Sequence, residues 1–314
     1  MPEYLGLDTS NYTTSTARLW PEGVRQEKQL LPVKAGEAGL RQSDAVFHHT
    51  RQLPQLLQNL CSQPLQALSA IGVTTRPRNR ADSYMPCFLC GSGTAHAIAA
   101  VTGVPVYETS HQIGHVLAAL YGANALSYLE QPFLAFHVSG GTTDSLLCTP
   151  HAKKILEITP IGTSLDLKAG QAIDRVGLML GLQFPCGKQL EQLAQKSQKT
   201  FRVHPTIKGV NCCLSGLQNQ CDTMQKQGAL PEDIACYCMT MIRETIYQMT
   251  QAAWKQVGTM SVLYAGGVMS NLWIRPALQH AFGGIFTKPE FSCDNAVGAA
   301  VFAALQEGGA KWLF

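Results

Sequence analysis

Residues 4–8, Tyr-Leu-Gly-Leu-Asp, form a short apolar run that gives way to the polar stretch Thr9-Ser10-Asn11-Tyr12-Thr13-Thr14. The pattern predicts a strand ending in turn chemistry. Ser15–Trp20 predicts the strand that returns from it, so the chain opens as a β-hairpin with a hydroxyl-rich tip. Further on, Val46, Leu53, Leu56, Leu57 and Leu60 recur at helical spacing across Ser43–Leu60, behind the start signal Ser43-Asp44. Ala70–Val73 reads as a short buried strand, Gly93–Val101 as a helix, Val104–Tyr107 as a strand and His111–Leu120 as a helix.

The opening pattern then recurs. Phe133–Val138 is an apolar run, Ser139-Gly140-Gly141-Thr142-Thr143 is a polar, glycine-rich tip, and Asp144–Cys148 returns. Beside residues 4–19 this is a second copy of one unit. Such duplication predicts two similar α/β lobes facing each other across a cleft. Small residues at both tips let backbone N–H groups approach a phosphate closely. The remaining chain predicts helices over Asp166–Leu180 and Gly187–Lys196 and a long helix over Pro231–Trp254. Met260–Tyr264 predicts a buried strand, and Met269–Ala281 and Asn295–Leu305 the final helices.

Composition narrows the class. At 314 residues the chain is long enough for two lobes of about 150 residues each. Hydrophobic residues make up 46% and charged residues 14%, which excludes a disordered chain. No apolar run approaches the roughly 18 residues of a membrane span, and Met1-Pro2-Glu3-Tyr4 does not open a signal peptide. The net charge of +3 neither demands nor excludes a nucleic-acid partner. The 11 cysteines, an odd number, read as reduced thiols of a cytoplasmic protein. Cys87 and Cys90 have C-x-x-C spacing, but no second pair follows to complete a structural zinc site. For these two, inert packing and a redox or metal role are both open readings.

Three segments carry candidate chemistry. His111 and His115 stand at i and i+4 of a predicted helix, where both imidazoles can share a metal or simply pack and cap. Gln112 occupies the place of the glutamate base in zinc proteases, which counts against proteolysis. Tyr264-Ala265-Gly266-Gly267-Val268-Met269-Ser270-Asn271 runs from a strand into a helix start, either a ligand-binding terminus or a tight turn. Asp294, before the last helix, is either an N-cap or an oxygen ligand.

In chain order, His111–His115, Val138–Thr143, Ala169–Val176, Leu180–Gly187, Ser215–Leu217, Ala265–Arg275 and Cys293–Ala296 match a single series of motifs. That series resembles the TsaD/Gcp family, formerly described as O-sialoglycoprotein endopeptidases. The resemblance covers nearly the whole chain. It implies the two-lobed actin-like ATPase fold shared with sugar kinases and Hsp70, built from duplicated ribonuclease H-like lobes around a central cleft. The lobes would span residues 1–128 and 129–293, with a C-terminal helix from about 294 to 314 packing back on the first. It implies transfer of the threonylcarbamoyl group from threonylcarbamoyl-AMP to N6 of adenosine 37 in tRNA. His111, His115 and Asp294 would hold iron or zinc. His137, Val138, Ser139, Gly140 and Gly141 would line the phosphate pocket for an adenine nucleotide. Asp174 would hold the ribose, Gly187 would pass under the nucleoside, and Asn271 would contact the adenylate. Expected partners are tRNA, a smaller paralogue of the same fold and an ATPase.

The chain departs from those motifs at acidic positions. An Asp-Glu pair in the first tip is replaced by Tyr12-Thr13, a second Asp by Leu167 and a Glu by Gln171. A Gly-Pro-Gly loop is replaced by Arg76-Pro77-Arg78-Asn79-Arg80, a His by Thr142 and a Lys by Gln218. The basic loop is expected near the mouth of the cleft. Two readings follow: a threonylcarbamoyl transferase of altered efficiency, and a paralogue that binds nucleotide and metal in a regulatory or scaffold role.

Overall fold

The structure, a computed structural model, describes residues 1–10, 12–32, 40–63, 65, 67–80, 82–308 and 311–314. Of the expected hairpin tip, Asn11 lies outside the described residues, as do positions 309 and 310 of the C-terminal segment. The chain divides into two compact units, one of Met1–Glu130, Pro150–Glu157 and Glu290–Phe314, the other of Gln131–Thr149 and Ile158–Pro289.

The first unit is built on β1 (Glu3–Asp8), β2 (Thr13–Trp20), β3 (Gly23–Leu30), α1 (Gln42–Leu60), β4 (Leu68–Arg76), α2 (Phe88–Thr102), β5 (Val106–Ser110) and α3 (His111–Gly122). Its sheet runs β3-β2-β1-β4-β5. The pairs β1–β2 and β2–β3 are antiparallel, while β1–β4 and β4–β5 are parallel. Successive side chains alternate between the faces of a strand. Leu5, Leu7, Ile71 and Val73 therefore pack one face together with Leu53, Leu60 and Ala95 of α1 and α2. Gly6 and Gly72 turn to the other face, where the last helix lies. A Cβ at Gly6 would stand 2.2 Å from the Ala296 carbonyl oxygen, and one at Gly72 1.8 Å from that of Ala299.

The second unit contains β6 (Phe133–Val138), β7 (Thr143–His151), β8 (Ile155–Thr163), α4 (Ala169–Met179), α5 (Gly187–Ala194), β9 (Thr206–Lys208), β10 (Asn211–Cys213), α6 (Ser215–Lys226), α7 (Pro231–Val257), β11 (Val262–Ala265), α8 (Arg275–Phe282) and β12 (Ile285–Phe286). The tip of the β7–β8 hairpin belongs to the first unit. The sheet order is β12-β11-β6-β7-β8, with β11 parallel to β6 and to β12, and β6 antiparallel to β7. Phe136 and Tyr264 are buried side by side, and the Tyr264 hydroxyl is 2.9 Å from Thr250 Oγ1 of α7. The final helix, α9 (Val297–Glu307), belongs to the first unit and is apolar on every face from Val297 to Leu305, with Val297–Ala304 buried. Such a helix is stable in water only when covered on all sides.

Three sequence expectations are corrected. The helix expected over Asp166–Leu180 starts at Ala169, because the Asp166 carboxylate accepts from the amides of Leu214 and Ser215 at 2.7 and 3.2 Å and diverts the backbone. The helix expected over Met269–Ala281 is a 3-10 turn, Gly267–Ser270, followed by α8 from Arg275. Asn271 Oδ1 accepts from the Trp273 and Ile274 amides, which ends the turn, and Pro276 suits a helix start because it has no N–H. The strand expected over Val104–Tyr107 is β5, displaced to Val106–Ser110 and running straight into α3. The polar edge strand β3, the short β9–β10 pair and α6 were not expected. β3 is polar and β9 and β10 are only three residues long, too short to show apolar alternation, whereas α6 does place Leu217, Cys221 and Met224 at helical spacing.

Candidate functional site

Strands β1, β4 and β5 are mutually parallel, so their C-terminal ends share one edge of the first sheet. Asp8 ends β1, and His111 follows β5 directly. Helix α3 starts where it does because Ser110 Oγ accepts from the Ile113 amide at 3.3 Å, an N-cap hydrogen bond. One turn separates His111 from His115, and their rings lie 4.2 Å apart at 70°. Asp294 arrives from the segment before α9. That helix crosses α3 closely enough that a Cβ at Gly298 would lie 1.8 Å from the Gly114 carbonyl oxygen.

The result is a cluster of two imidazoles and one carboxylate whose ligand atoms lie within 4.8 Å of one another. His115 Nε2 is 3.2 Å, and His111 Nε2 3.7 Å, from Asp294 Oδ1. A tetrahedral cation with bonds of about 2.0–2.1 Å separates its ligand atoms by about 3.3 Å, so the donor set and spacing fit a divalent transition metal. Three protein ligands leave a coordination position for a substrate oxygen.

Electrostatics support the same reading. Burial alone would raise the Asp294 carboxyl, but the hydrogen bond and charge of His115, the charge of His111 and the Thr13 hydroxyl hold it well below the usual carboxylate range. Burial alone would lower His111. The charge and hydrogen bond of Asp8, with the charge of Asp294, instead raise it to about 9. This edge of the sheet thus attracts positive charge, whether a proton or a metal. Two groups join the cluster beyond the expected ligands: Asp8, to which the sequence assigns no role, and Thr13, which stands there only as the replacement of a family acid. Asp8 Oδ2 is 2.6 Å from His111 Nδ1, and Thr13 Oγ1 donates to Asp294 Oδ2 at 3.2 Å. The available signal was a carboxylate at a strand end beside a hydroxyl-rich tip.

The basic loop adjoins this cluster. The Pro77 carbonyl accepts from the Gln112 amide at 3.0 Å, next to His111. Arg76, Arg80, Ser83, Tyr84 and Phe88 line a cavity of about 270 Å³, and the Phe88 ring also meets the His111 ring at 6.3 Å. Cys87 directly precedes α2 without a side-chain capping bond and Cys90 lies in its first turn, with Cys90 Sγ 3.5 Å from Thr50 Oγ1. None of the chain's cysteines forms a disulfide among the described residues.

In the second unit, β6 and β11 are parallel and end side by side at Val138 and Ala265, the strand edge at which α/β proteins bind ligands. His137 pairs across β6–β7 with Asp144. The tip that follows is shaped by Ser139. Its Oγ accepts from the Gly141 and Thr142 amides at 3.3 and 3.2 Å and lies 2.7 Å from Thr142 Oγ1. Two glycines let neighbouring backbone close on this tip. A Cβ at Gly170 would stand 2.6 Å from the Gly140 amide nitrogen, and one at Gly266, where φ is +99°, 2.2 Å from the Val138 oxygen. One turn along α4, Asp174 Oδ1 accepts from the Cys186 amide at 2.8 Å, which places Gly187 beside Asp174. Glu191 of α5 accepts from the Leu272 amide at 2.7 Å and so ties the segment after Asn271 to α5. His137 and Val138 thus end β6, Ser139–Gly141 follow it and Asn271 closes the turn after β11, while Asp174 and Gly187 stand on α4 and α5. Asn271 Oδ1 is engaged as a backbone cap, and one oxygen of Asp174 holds Cys186.

The sequence profile of the TsaD family, tRNA N6-adenosine threonylcarbamoyltransferase, matches residues 33–301. A tRNA N6-adenosine threonylcarbamoyltransferase of Thermosipho melanesiensis is 30% identical over 315 residues, covering 95% of this chain and 92% of the relative. The enzyme of that name from Nitrosomonas eutropha is 30% identical over 274 residues, covering 82% and 78%. Among solved structures, component A of (R)-2-hydroxyglutaryl-CoA dehydratase from Acidaminococcus fermentans superposes with a TM-score of 0.56 at 16% identity, covering 98% of this chain and 100% of that one. Full-length HypF in its phosphate- and nucleotide-bound form gives a TM-score of 0.58 at 11% identity, covering 99% of this chain and 47% of HypF. At such identities the likeness establishes the fold, the actin-like ATPase fold.

Proposed function

The chain belongs to the tRNA N6-adenosine threonylcarbamoyltransferase family, and from that premise we propose that it transfers the threonylcarbamoyl group of threonylcarbamoyl-AMP to N6 of adenosine 37 in tRNA. In this step a bond forms between N6 and the carbamoyl carbon. The bond from that carbon to the AMP phosphate oxygen breaks, AMP leaves, and N6 loses a proton. The observation that carries the proposal is the convergence of His111, His115 and Asp294 within 4.8 Å. These residues would hold iron or zinc, which when bound supplies Lewis-acid polarisation of a substrate oxygen.

In the second unit, the Ser139–Gly141 turn would place backbone N–H groups against the adenylate phosphate. The second oxygen of Asp174 would accept from a ribose hydroxyl, and Gly187, at the start of α5, would let the nucleoside pass close to backbone. The engagement of Asn271 as a cap points to contact through its backbone or remaining amide group. tRNA is the acceptor. A smaller paralogue of the same fold and an ATPase are the protein partners that the family resemblance suggests, in the cytoplasm. Among the described residues no helix is long and apolar enough to cross a membrane.

A second reading is favoured by one specific feature. Thr13, where the family motif has a carboxylate, gives its hydroxyl to Asp294, and Tyr12 replaces the other acid. The first tip therefore offers no carboxylate at positions 12 and 13 to take the proton from N6, and loss of a general base typically costs about 10²–10⁴ in rate. On this reading the chain binds nucleotide and metal without efficient transfer. Mass spectrometry of tRNA incubated with the protein and threonylcarbamoyl-AMP separates the two. Modified adenosine supports the transferase. Its absence, with adenylate binding retained, supports the binding paralogue.

A further inference from the structure

An imidazole and a carboxylate each offer a metal two different atoms, and something must select one. At His111 the choice is made by Asp8. Its Oδ2 lies 2.6 Å from His111 Nδ1, while its Oδ1 accepts from the Ser10 amide at 2.8 Å. With both oxygens engaged and a side chain only 2% exposed, Asp8 cannot swing away. An ionised carboxylate has no proton to donate. Nδ1 therefore keeps its proton, and the position that a cation can take, by displacing a proton, is Nε2, the atom that faces Asp294.

Thr13 makes the corresponding choice at Asp294. Its buried hydroxyl donates to Oδ2, and Oδ1 is the oxygen that faces both histidines. Asp8 is the last residue of β1 and Thr13 the first of β2. A single hairpin thus supplies both orienting groups, while the three ligands come from α3 and the segment before α9. A glutamate at position 13, as in the family motif, would be a second anion beside Asp294 and could not donate when ionised.

We propose that Asp8 and Thr13 are positioning residues that set which atoms His111 and Asp294 present to a divalent cation, an inference resting on the reading of His111, His115 and Asp294 as its ligands. Outer groups of this kind fix the tautomer and orientation of a ligating histidine. Asp8→Asn is a sharp probe because it keeps the shape. The new amide can turn its NH₂ toward Nδ1, which favours the tautomer with the proton on Nε2, where the metal must bind.

The test is zinc affinity measured by chelator competition on the full chain, with urea unfolding as a check on the fold. Asp8→Asn is expected to bind zinc about 10–100-fold more weakly than wild type, with Asp8→Glu recovering part of the loss. Thr13→Val is expected to weaken zinc binding and Thr13→Ser to restore it, and this pair decides the matter if the Asp8 variants do not fold. In zinc-loaded wild type, nitrogen NMR should show His111 with an exchange-protected proton on Nδ1 and a metal-shifted Nε2, a signature lost in Asp8→Asn. Wild-type zinc binding that survives replacement of both histidines would refute the ligand reading itself. Zinc binding that needs the histidines but is unchanged, within about twofold, in Asp8→Asn and Thr13→Val would overturn this proposal alone.

Discussion

Gly298 of α9 lies directly against Gly114 of α3: a Cβ at 298 would stand 1.8 Å from the Gly114 carbonyl oxygen and 2.8 Å from its Cα. The obstacle is backbone on both sides, so nothing can rotate out of the way. Asp294 precedes α9 by three residues, and its reach to His111 and His115 depends on this crossing. Gly298→Ala is expected to destabilise the protein by about 1–3 kcal/mol, the cost of overpacking a tight contact. It should also weaken metal binding by separating Asp294 from the histidines. Urea unfolding and zinc titration check both effects, and unchanged zinc affinity would show that Asp294 is placed independently of the crossing.

Purified protein should contain close to one iron or zinc per chain. Replacing His111 and His115 together with alanine should abolish it, because one carboxylate cannot hold the ion alone. A metal that binds only the folded state stabilises it by mass action, by about 2.7 kcal/mol at a hundredfold excess over the dissociation constant. Chelation should therefore lower the melting temperature of wild type but not of the double variant. Elemental analysis and calorimetry are the measurements.

In the second unit, Gly170→Ala drives a methyl group into the Ser139–Gly140 backbone, 2.6–2.7 Å away. It is expected to displace the tip and reduce adenine nucleotide affinity while leaving metal content unchanged. Asp174→Ala should weaken AMP or ATP binding by about 1.5–3 kcal/mol, the range for a charge-assisted hydrogen bond. Calorimetry that finds no nucleotide binding to wild type would remove the basis for both expectations.

Asp166 supports the start of α6 by accepting from the Leu214 and Ser215 amides and the Ser215 hydroxyl. Burial alone would raise its carboxyl, but these hydrogen bonds together with that of the Leu167 amide lower it to about 2. A depressed folded-state value means that the contribution is present above the unfolded pKa, near 4, and is lost as pH falls toward about 2. Asp166→Asn should cost about 1 kcal/mol at neutral pH, as for a helix cap. The difference from wild type should shrink near pH 2.5. Unfolding midpoints at the two pH values check the sign.

Arg76 forms no ion pair among the described residues, whereas Arg80 is paired with Asp82 at 3.0 Å. Arg76 and Arg80 line one cavity together with Glu108, and the arginines are the groups on this loop that would meet a tRNA phosphodiester. Replacing Arg76, Arg78 and Arg80 with glutamine should lower tRNA affinity. The slope of log affinity against log salt should flatten by about 0.7–0.9 for each phosphate that is no longer neutralised. Filter binding across a salt series measures it, and an unchanged slope would place the tRNA elsewhere.

Local pattern accounts for what could be read directly from the residues. The β1–β2 and β6–β7 hairpins are legible because β1 and β6, buried on both faces, read as short continuous apolar runs that break at hydroxyls and glycine. The i, i+4 histidines are legible because helical periodicity alone puts them on one face. The order of motifs from His111 to Ala296 likewise carries the family and its fold without coordinates. Segments whose state depends on distant partners resisted such a reading. β3 is a polar edge strand formed by pairing with β2. Asp166 and Asn271 sit in helix-like sequence, yet their side chains capture backbone amides and hold the helices back.

The arrangement around the cation ligands belongs to tertiary structure. His111 meets Asp8 across 103 positions, and Thr13 meets Asp294 across 281. No periodicity spans such distances. What brings these groups together is α9, which lies on Gly6 and Gly72 and sets its own Gly298 against Gly114, so that missing side chains let backbone approach backbone. The residue types that can do the chemistry are written locally. Their convergence, and the choice of which nitrogen and which oxygen face inward, follow from close packing between segments far apart in the chain.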